Sequence, residues 1–140
     1  MPAQQISAIT LGVAGLPASR RFYTQGFGWA AIFENDEIIF YQMNGLVLGT
    51  WLKAALEADA MLPAPPAGAM TLAHNVPARE DVAVLMARLE QQGGRVLRGA
   101  DAPAHGGYRG YIADPDGHVW EIAYNPAWSI DAEGHVTFGL

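Results

Sequence analysis

The chain has 140 residues, 51% of them hydrophobic and 16% charged, which favours a single compact domain over a disordered chain. Its net charge of −6 and only eight scattered Lys and Arg residues argue against nucleic-acid binding, which relies on clustered positive charge. The lack of cysteine excludes disulfides, thiolate zinc sites and cysteine nucleophiles.

The first half of the chain predicts a strand, a helix and three further strands. Residues 6–13 alternate between large apolar and small or polar side chains, which is typical of a half-buried strand. Pro17 suits the first turn of a helix, and the glycines of GFG at 26–28 end it. Three short strand candidates follow, and they begin at Trp29, Glu37 and Leu46.

The same order then repeats after a linker of residues 53–69, whose first part favours a short helix. A strand begins at Met70, and residues 80–92 predict a helix with one buried stripe, formed by Val82, Leu85, Met86 and Leu89. Three more strands follow. The sequence therefore predicts one α+β domain with two βαβββ modules, at about 5–52 and 70–126, and a tail at 127–140.

The segment DPDGHVWE, which begins at Asp114, combines a turn with a strand. Asp, Pro and Gly each suit their positions in a tight turn, and alternating residues flank it on both sides. On a strand, His118 and Glu121 are separated by an odd number of positions and point to opposite faces, so they cannot bind one ion together. Glu121 faces the side without large apolar residues, which makes it the leading catalytic or binding candidate.

Two stretches carry a family resemblance: TLGVAGLPASRRFYTQGFGW near the start and GYRGYIADPDGHVWEIAYNP near the end. With the block LAHNVPAREDVAVLMARLEQQGG, they resemble the vicinal-oxygen-chelate superfamily, which includes glyoxalases, bleomycin-resistance proteins and extradiol dioxygenases. The resemblance implies two βαβββ modules that curl around a cavity, a small-molecule ligand and a homodimer.

The resemblance also implies where a metal would bind. Members that use a metal have four cavity ligands, which fall here on Ala8, on a residue within 46–51, on Thr71 and on Glu121. Alanine has no donor atom, residues 46–51 contain no carboxylate, and a threonine hydroxyl does not replace an imidazole. We therefore expect no four-ligand metal site and no cofactor, with Glu121 the ligand if any ion binds.

Other residues are candidates for ligand binding. Thr10, Thr71 and Asn75 share the predicted face of Glu121, where they either line a cavity or fill a core layer. His105 lies on a glycine-flanked loop, and loops often carry binding residues. Tyr111 or Gly110 faces Glu121 on the neighbouring strand, depending on a register that the sequence does not fix. His74 falls on the packing face, where a hydrogen-bonded core histidine is expected.

These observations support three hypotheses. The first is a cytoplasmic small-molecule-binding protein, in which Glu121 orients an apolar or aromatic ligand or acts as a base in a metal-free reaction. The alternative is a metal-dependent lyase, isomerase or dioxygenase, which needs further ligands such as His105 or His74. The third is an interaction protein whose cavity is filled by its own side chains. No segment predicts a membrane span.

Overall fold

A computed structural model describes all 140 residues of the chain. The strands are β1 (Ala8–Val13), β2 (Ala31–Glu34), β3 (Ile38–Gln42), β4 (Val47–Leu52), β5 (Thr71–Asn75), β6 (Arg95–Asp101), β7 (Tyr108–Ala113), β8 (Val119–Tyr124), β9 (Ser129–Ile130) and β10 (Val136–Thr137). The helices are α1 (Leu16–Arg20), α2 (Lys53–Ala60) and α3 (Glu80–Gln91).

Two four-stranded sheets repeat one topology. The first has the order β1-β4-β3-β2 and the second has the order β5-β8-β7-β6. In each sheet the opening strand pairs in parallel with the last strand of its module, and the other pairs are antiparallel. The predicted duplication and the α+β class are therefore confirmed.

α2 has no buried residue and lies against Gly12 on one side of β1. α1 and α3 pack on the opposite side of the sheets and cover one core. Alternate residues of each strand point to that side, and the buried ones include Leu11 and Val13 from β1 and Ile122 from β8. The stripe predicted for α3 is confirmed, since Val82, Met86 and Leu89 are buried and Leu85 is half-buried. The other side of each sheet, which we call the open face, carries the remaining strand residues.

The first helix differs from its prediction. Only residues 16–20 are α-helical, and residues 21–26 continue as a wider π-helical segment. There the Phe27 N–H donates to the Phe22 carbonyl five residues earlier, at 3.2 Å. Phe22 and Tyr23 are consecutive and both fully buried, which a regular helix with a single buried stripe does not provide.

No strand was predicted in the tail at 127–140, but the tail forms a small hairpin of β9 and β10. One Asp131 carboxylate oxygen accepts hydrogen bonds from the backbone N–H groups of Glu133 and His135, both at 2.9 Å. This pattern is an Asx-type turn, in which the side chain replaces a backbone acceptor. Each strand of the hairpin is only two residues long, so the sequence shows no alternating pattern that would predict it.

The DPDG turn joins the two modules. Asp114 is buried, and its carboxylate accepts from the backbone N–H groups of Asp116 and His118, and from the Tyr23 hydroxyl at 2.7 Å. Burial raises the pKa of Asp114, and its hydrogen bonds oppose that rise. Tyr23 belongs to module one, so this contact crosses between the modules.

Two further hydrogen bonds cross between the modules at the same place. The Ala14 N–H donates to an Asp116 carboxylate oxygen at 2.7 Å, and His118 Nε2 lies 2.8 Å from the Gly12 carbonyl oxygen, to which its N–H donates. His118 therefore has a structural partner on the first module, and Glu121 takes no part in these contacts. We call these contacts, with the Tyr23–Asp114 bond, the intermodule clamp.

Candidate functional site

Glu121 lies on the open face, at the centre of β8. Its direct neighbours across the strands are Tyr111 on β7 and Ala73 on β5. The register that the sequence left open therefore places Tyr111, not Gly110, beside Glu121. Side chains directly opposite each other on neighbouring strands lie close enough to contact one ligand together.

Glu121 differs from its charged neighbours because it has no partner within the protein. Its carboxylate makes no side-chain hydrogen bond and no ion pair, although the residue is half-buried. Arg109, which lies two residues along β7 from Tyr111, pairs instead with Asp101, and Arg98 pairs with Asp101 at 3.1 Å. Hydrogen bonds from Arg98 and Arg109 hold the pKa of Asp101 below its usual value.

A cavity of about 310 Å³ opens next to the Glu121 carboxylate. Arg109, His105 and Trp128 also line it, so it combines charged, polar and aromatic surfaces. The loop before β7 enters this cavity through Gly106 and Gly107. Gly107 has φ +81°, and a Cβ there would lie 2.7 Å from the Tyr124 carbonyl oxygen, so this close approach requires glycine.

A second cavity, of about 240 Å³, is lined by residues of both modules, from β1, from β5 and from the start of β8. Thr10 and His118 are its polar side chains, and Leu56 of α2 and the prolines at 65 and 66 cover it. Apart from these two polar side chains, the lining of this cavity is apolar or glycine.

The structure divides the predicted binding residues between these places. His105 and Glu121 line the 310 Å³ cavity, and Thr10 lines the cavity between the modules. Thr71 is exposed and Asn75 is half-buried on the open face, but neither lines one of these two cavities. The prediction missed Arg109 and Trp128 as lining residues. Alternation from Tyr111 indicates the face of Arg109, whereas no local pattern predicts that the tail brings Trp128 to Glu121.

The four positions of the family's metal ligands do not form a ligand set here. Ala8 pairs with Val47, and the other β4 residues of the open face are Gly49 and Trp51. None of these side chains offers an oxygen or imidazole nitrogen, so Glu121 and the exposed Thr71 hydroxyl remain. The residues present do not fit a four-ligand ion at this place.

A different group of possible ligands lies in the tail hairpin. Asp131, Glu133 and His135 bring their side chains within 4.8 Å of one another and are all exposed. His135 Nδ1 lies 3.1 Å from an Asp131 carboxylate oxygen, and the other oxygen holds the turn. The local turn accounts for this arrangement.

A family model identifies the chain. The model of the Glyoxalase/Bleomycin resistance protein/Dioxygenase superfamily matches residues 5–122, which is most of the chain. The chain belongs to this superfamily. Its resemblance, stated above from the sequence motifs, is confirmed.

Solved structures of the superfamily and of other proteins share the fold. A glyoxalase-related enzyme from Fulvimarina pelagi is 59% identical over 99% of this chain and 100% of that chain, with a TM-score of 0.96. A lactoylglutathione lyase from Agrobacterium tumefaciens is 19% identical over 93% and 100%, with a TM-score of 0.69. A hypothetical protein from S. aureus is 17% identical over 89% and 96%, with a TM-score of 0.78. The last two similarities show the fold alone.

A search of curated proteins found no match to the chain. None of the helices has the length and apolar character needed to cross a membrane.

Proposed function

We propose that this superfamily member binds a small organic molecule at the Glu121 cavity and that it does so without the four-ligand metal site. The observation that carries the proposal is the half-buried Glu121 carboxylate, which has no partner of its own and lies at a 310 Å³ cavity. A carboxylate that borders a cavity and has no partner in the protein is free to accept hydrogen bonds from a bound molecule.

The residues around Glu121 indicate the chemistry of the ligand. A carboxylate accepts hydrogen bonds, so it selects a cationic or hydrogen-bond-donating group. Trp128 provides an aromatic wall on the same cavity, and Tyr111 is the residue paired with Glu121 on the neighbouring strand. We therefore assign Glu121 as the anchor, Tyr111 and His105 as orienting groups and Trp128 as the apolar contact. The cation–π attraction of a ligand ammonium to Trp128 adds to the carboxylate's attraction.

The test uses benzylamine as a probe and benzoate as its charge-reversed counterpart. Binding of benzylamine raises the melting temperature of the wild type, because a ligand that binds only the folded state stabilises it. In Glu121→Gln the benzylamine affinity falls by about tenfold, which corresponds to a charge-assisted hydrogen bond of about 1.5 kcal/mol or more. Glu90→Gln, an exposed change on the helix side, serves as the matched control. Equal binding of benzoate, or an unchanged affinity in Glu121→Gln, rejects the proposal.

A reaction at this site is the second candidate, supported by the similarity to a glyoxalase-related enzyme at 59% identity. In that case Glu121 takes a proton from the bound substrate as a general base. Elemental analysis of untagged protein purified without chelator separates the two metal possibilities. Near-stoichiometric zinc, nickel, manganese or iron that is lost in Glu121→Ala indicates the metal-dependent reaction, and background metal with activity retained in chelator indicates the metal-free one.

We propose a homodimer as the working form of the protein. β2 is an edge strand that pairs only with β3, and its Ile32 and Phe33 are 59% and 50% exposed. An open edge with exposed apolar side chains favours contact with another chain. Light scattering of the wild type gives twice the chain mass, and Phe33→Lys shifts it toward the monomer. A wild-type monomer at micromolar concentration rejects this assembly.

A further inference from the structure

His74 lies on the helix side of β5, as predicted, but it lacks the expected hydrogen bond. Neither ring nitrogen bonds to any protein atom, although the residue is half-buried between Leu72 and Val76. Burial lowers the pKa of His74, which favours the neutral ring. A neutral imidazole has one N–H donor and one acceptor nitrogen, and both remain available here.

Aromatic side chains surround the His74 ring. The Phe27 ring meets it edge-on at 5.4 Å between centroids, and the Trp29 ring does so at 6.0 Å. Phe27 and Trp29 stack on each other at 4.1 Å, and Trp120 packs against both of them. The imidazole is therefore held in place by rings that offer no hydrogen-bond partner to it.

A cavity of about 200 Å³ borders this imidazole, and Glu121 is not among its lining residues. The walls of the cavity are mostly apolar and include Trp29, Trp120, Ile9 and Leu48. Apart from the tryptophans, the lining residues with polar side chains are His74 and Asn44. An apolar cavity of about 150 Å³ accommodates a benzene molecule. This cavity therefore has room for a single aromatic ring with one small substituent.

We propose that this 200 Å³ cavity binds a neutral monocyclic phenol, whose hydroxyl donates a hydrogen bond to a His74 ring nitrogen and whose ring contacts Trp29 and Trp120. This site is separate from the Glu121 cavity, so the proposal does not depend on the proposed function. It assigns a ligand role to an imidazole that the sequence places in the core.

The charge of the surroundings selects a neutral phenol over an acid. No ionised side chain lines the cavity, and a carboxylate moved from water into apolar surroundings without a partner pays a large desolvation cost. A phenol has a pKa of about 10, like the Tyr side chain, and so enters uncharged at neutral pH. Toluene has the same ring but no hydroxyl, so it fills the space without the His74 hydrogen bond.

The experiment measures tryptophan fluorescence with selective excitation while p-cresol, toluene or benzoate is added to the full-length protein. Trp29 and Trp120 report on the cavity because they line it. We expect p-cresol to change the emission at a lower concentration than toluene does. Benzoate should leave the emission unchanged at the concentrations at which p-cresol and toluene act. In His74→Leu, which keeps an apolar side chain of similar size, p-cresol binds about three- to tenfold more weakly and loses its advantage over toluene.

Two more variants test the location. His105→Leu makes the same change at the Glu121 cavity and keeps the p-cresol preference of the wild type. Leu46→Trp places an indole at the cavity lining, on the turn after β3, and reduces binding of both p-cresol and toluene. The proposal is overturned if p-cresol leaves the tryptophan emission unchanged up to its solubility, if His74→Leu retains the preference, or if Leu46→Trp binds p-cresol as tightly as the wild type.

Discussion

The Tyr23 hydroxyl is the connection between the modules whose loss has the largest predicted cost. It donates to the Asp114 carboxylate at 2.7 Å and accepts from the Trp120 indole N–H at 3.1 Å, and all three residues are buried. In Tyr23→Phe the ring remains in place, and both partners lose their hydrogen bond without access to water. The change therefore isolates the polar part of the contact.

The magnitude follows from the two lost hydrogen bonds. A hydrogen bond to a charged group contributes about 1.5–3 kcal/mol, and a neutral one about 0.5–1.5 kcal/mol. We therefore expect Tyr23→Phe to lower the free energy of unfolding by about 2–4 kcal/mol, since the Trp120 indole N–H and the Asp114 oxygen that accepts from Tyr23 have no other hydrogen-bond partner. A loss of this size is a large fraction of the stability of about 5–15 kcal/mol typical of a small domain.

The loss depends on pH. Because burial raises the folded-state pKa of Asp114, the native state holds this proton more strongly than the unfolded chain, and stability falls as the pH rises through that pKa. The Tyr23 hydroxyl lowers this pKa toward the ordinary value, so its removal raises the pKa further and extends the fall to higher pH. The deficit of Tyr23→Phe is therefore larger at neutral pH than in mild acid.

Urea unfolding followed by circular dichroism measures this loss at several pH values. Tyr41→Phe is the matched control, because the Tyr41 hydroxyl is buried but has no partner, so its removal leaves no group unpaired. We expect this control to be neutral or stabilising at every pH. If Tyr23→Phe and Tyr41→Phe change the free energy of unfolding equally, or if the deficit of Tyr23→Phe does not shrink in acid, the reasoning is refuted.

Two further predictions concern packing and titration. Gly94→Ala loses about 1–3 kcal/mol of stability by overpacking, because its Cβ would lie 2.8 Å from the Phe22 ring and 2.9 Å from the Leu89 carbonyl oxygen. A Cβ at Gly99 would meet nothing within 4 Å, so Gly99→Ala changes urea unfolding little. Equal effects of the two variants would contradict the packing argument. The lowered pKa of His74 means that the unfolded chain binds this proton more strongly, so stability falls as the pH drops below about 6.5. His74→Leu loses this part of the pH dependence in thermal melts, and an unchanged slope would exclude His74 as its source.

The fold followed from local patterns to a large extent. The alternation in 6–13, the stripe in 80–92 and the DPDG turn each have a short-range cause, and the repeat of their order set the topology. The π-helical segment was not predictable in this way, because it depends on burying Phe22 and Tyr23 against the other module. The tail hairpin has only two residues in each strand, which is too short for an alternating pattern to be recognised.

The site was predictable only in part. Alternation placed Glu121 on the open face and His118 away from it, and both placements agree with the strand register. Cross-strand neighbours require a register, so Tyr111 stayed one of two possibilities until the pairing was known. We expected His74 to be hydrogen-bonded, and the structure shows no such bond. Whether a buried group has a partner depends on residues that are distant in the sequence, and no local pattern reveals them.

The intermodule clamp has a consequence for how the chain could be divided. β1 and β5 belong to separate sheets, and the modules are joined through side chains and backbone atoms near the DPDG turn and through their shared core, not through a continuous ladder. Residues 61–70, between α2 and β5, are mostly exposed and contain no helix or strand. Two polypeptides that end and begin there would each carry a complete sheet and the complementary half of the clamp. We therefore expect two separately expressed halves to reassemble into one native fold when they are mixed.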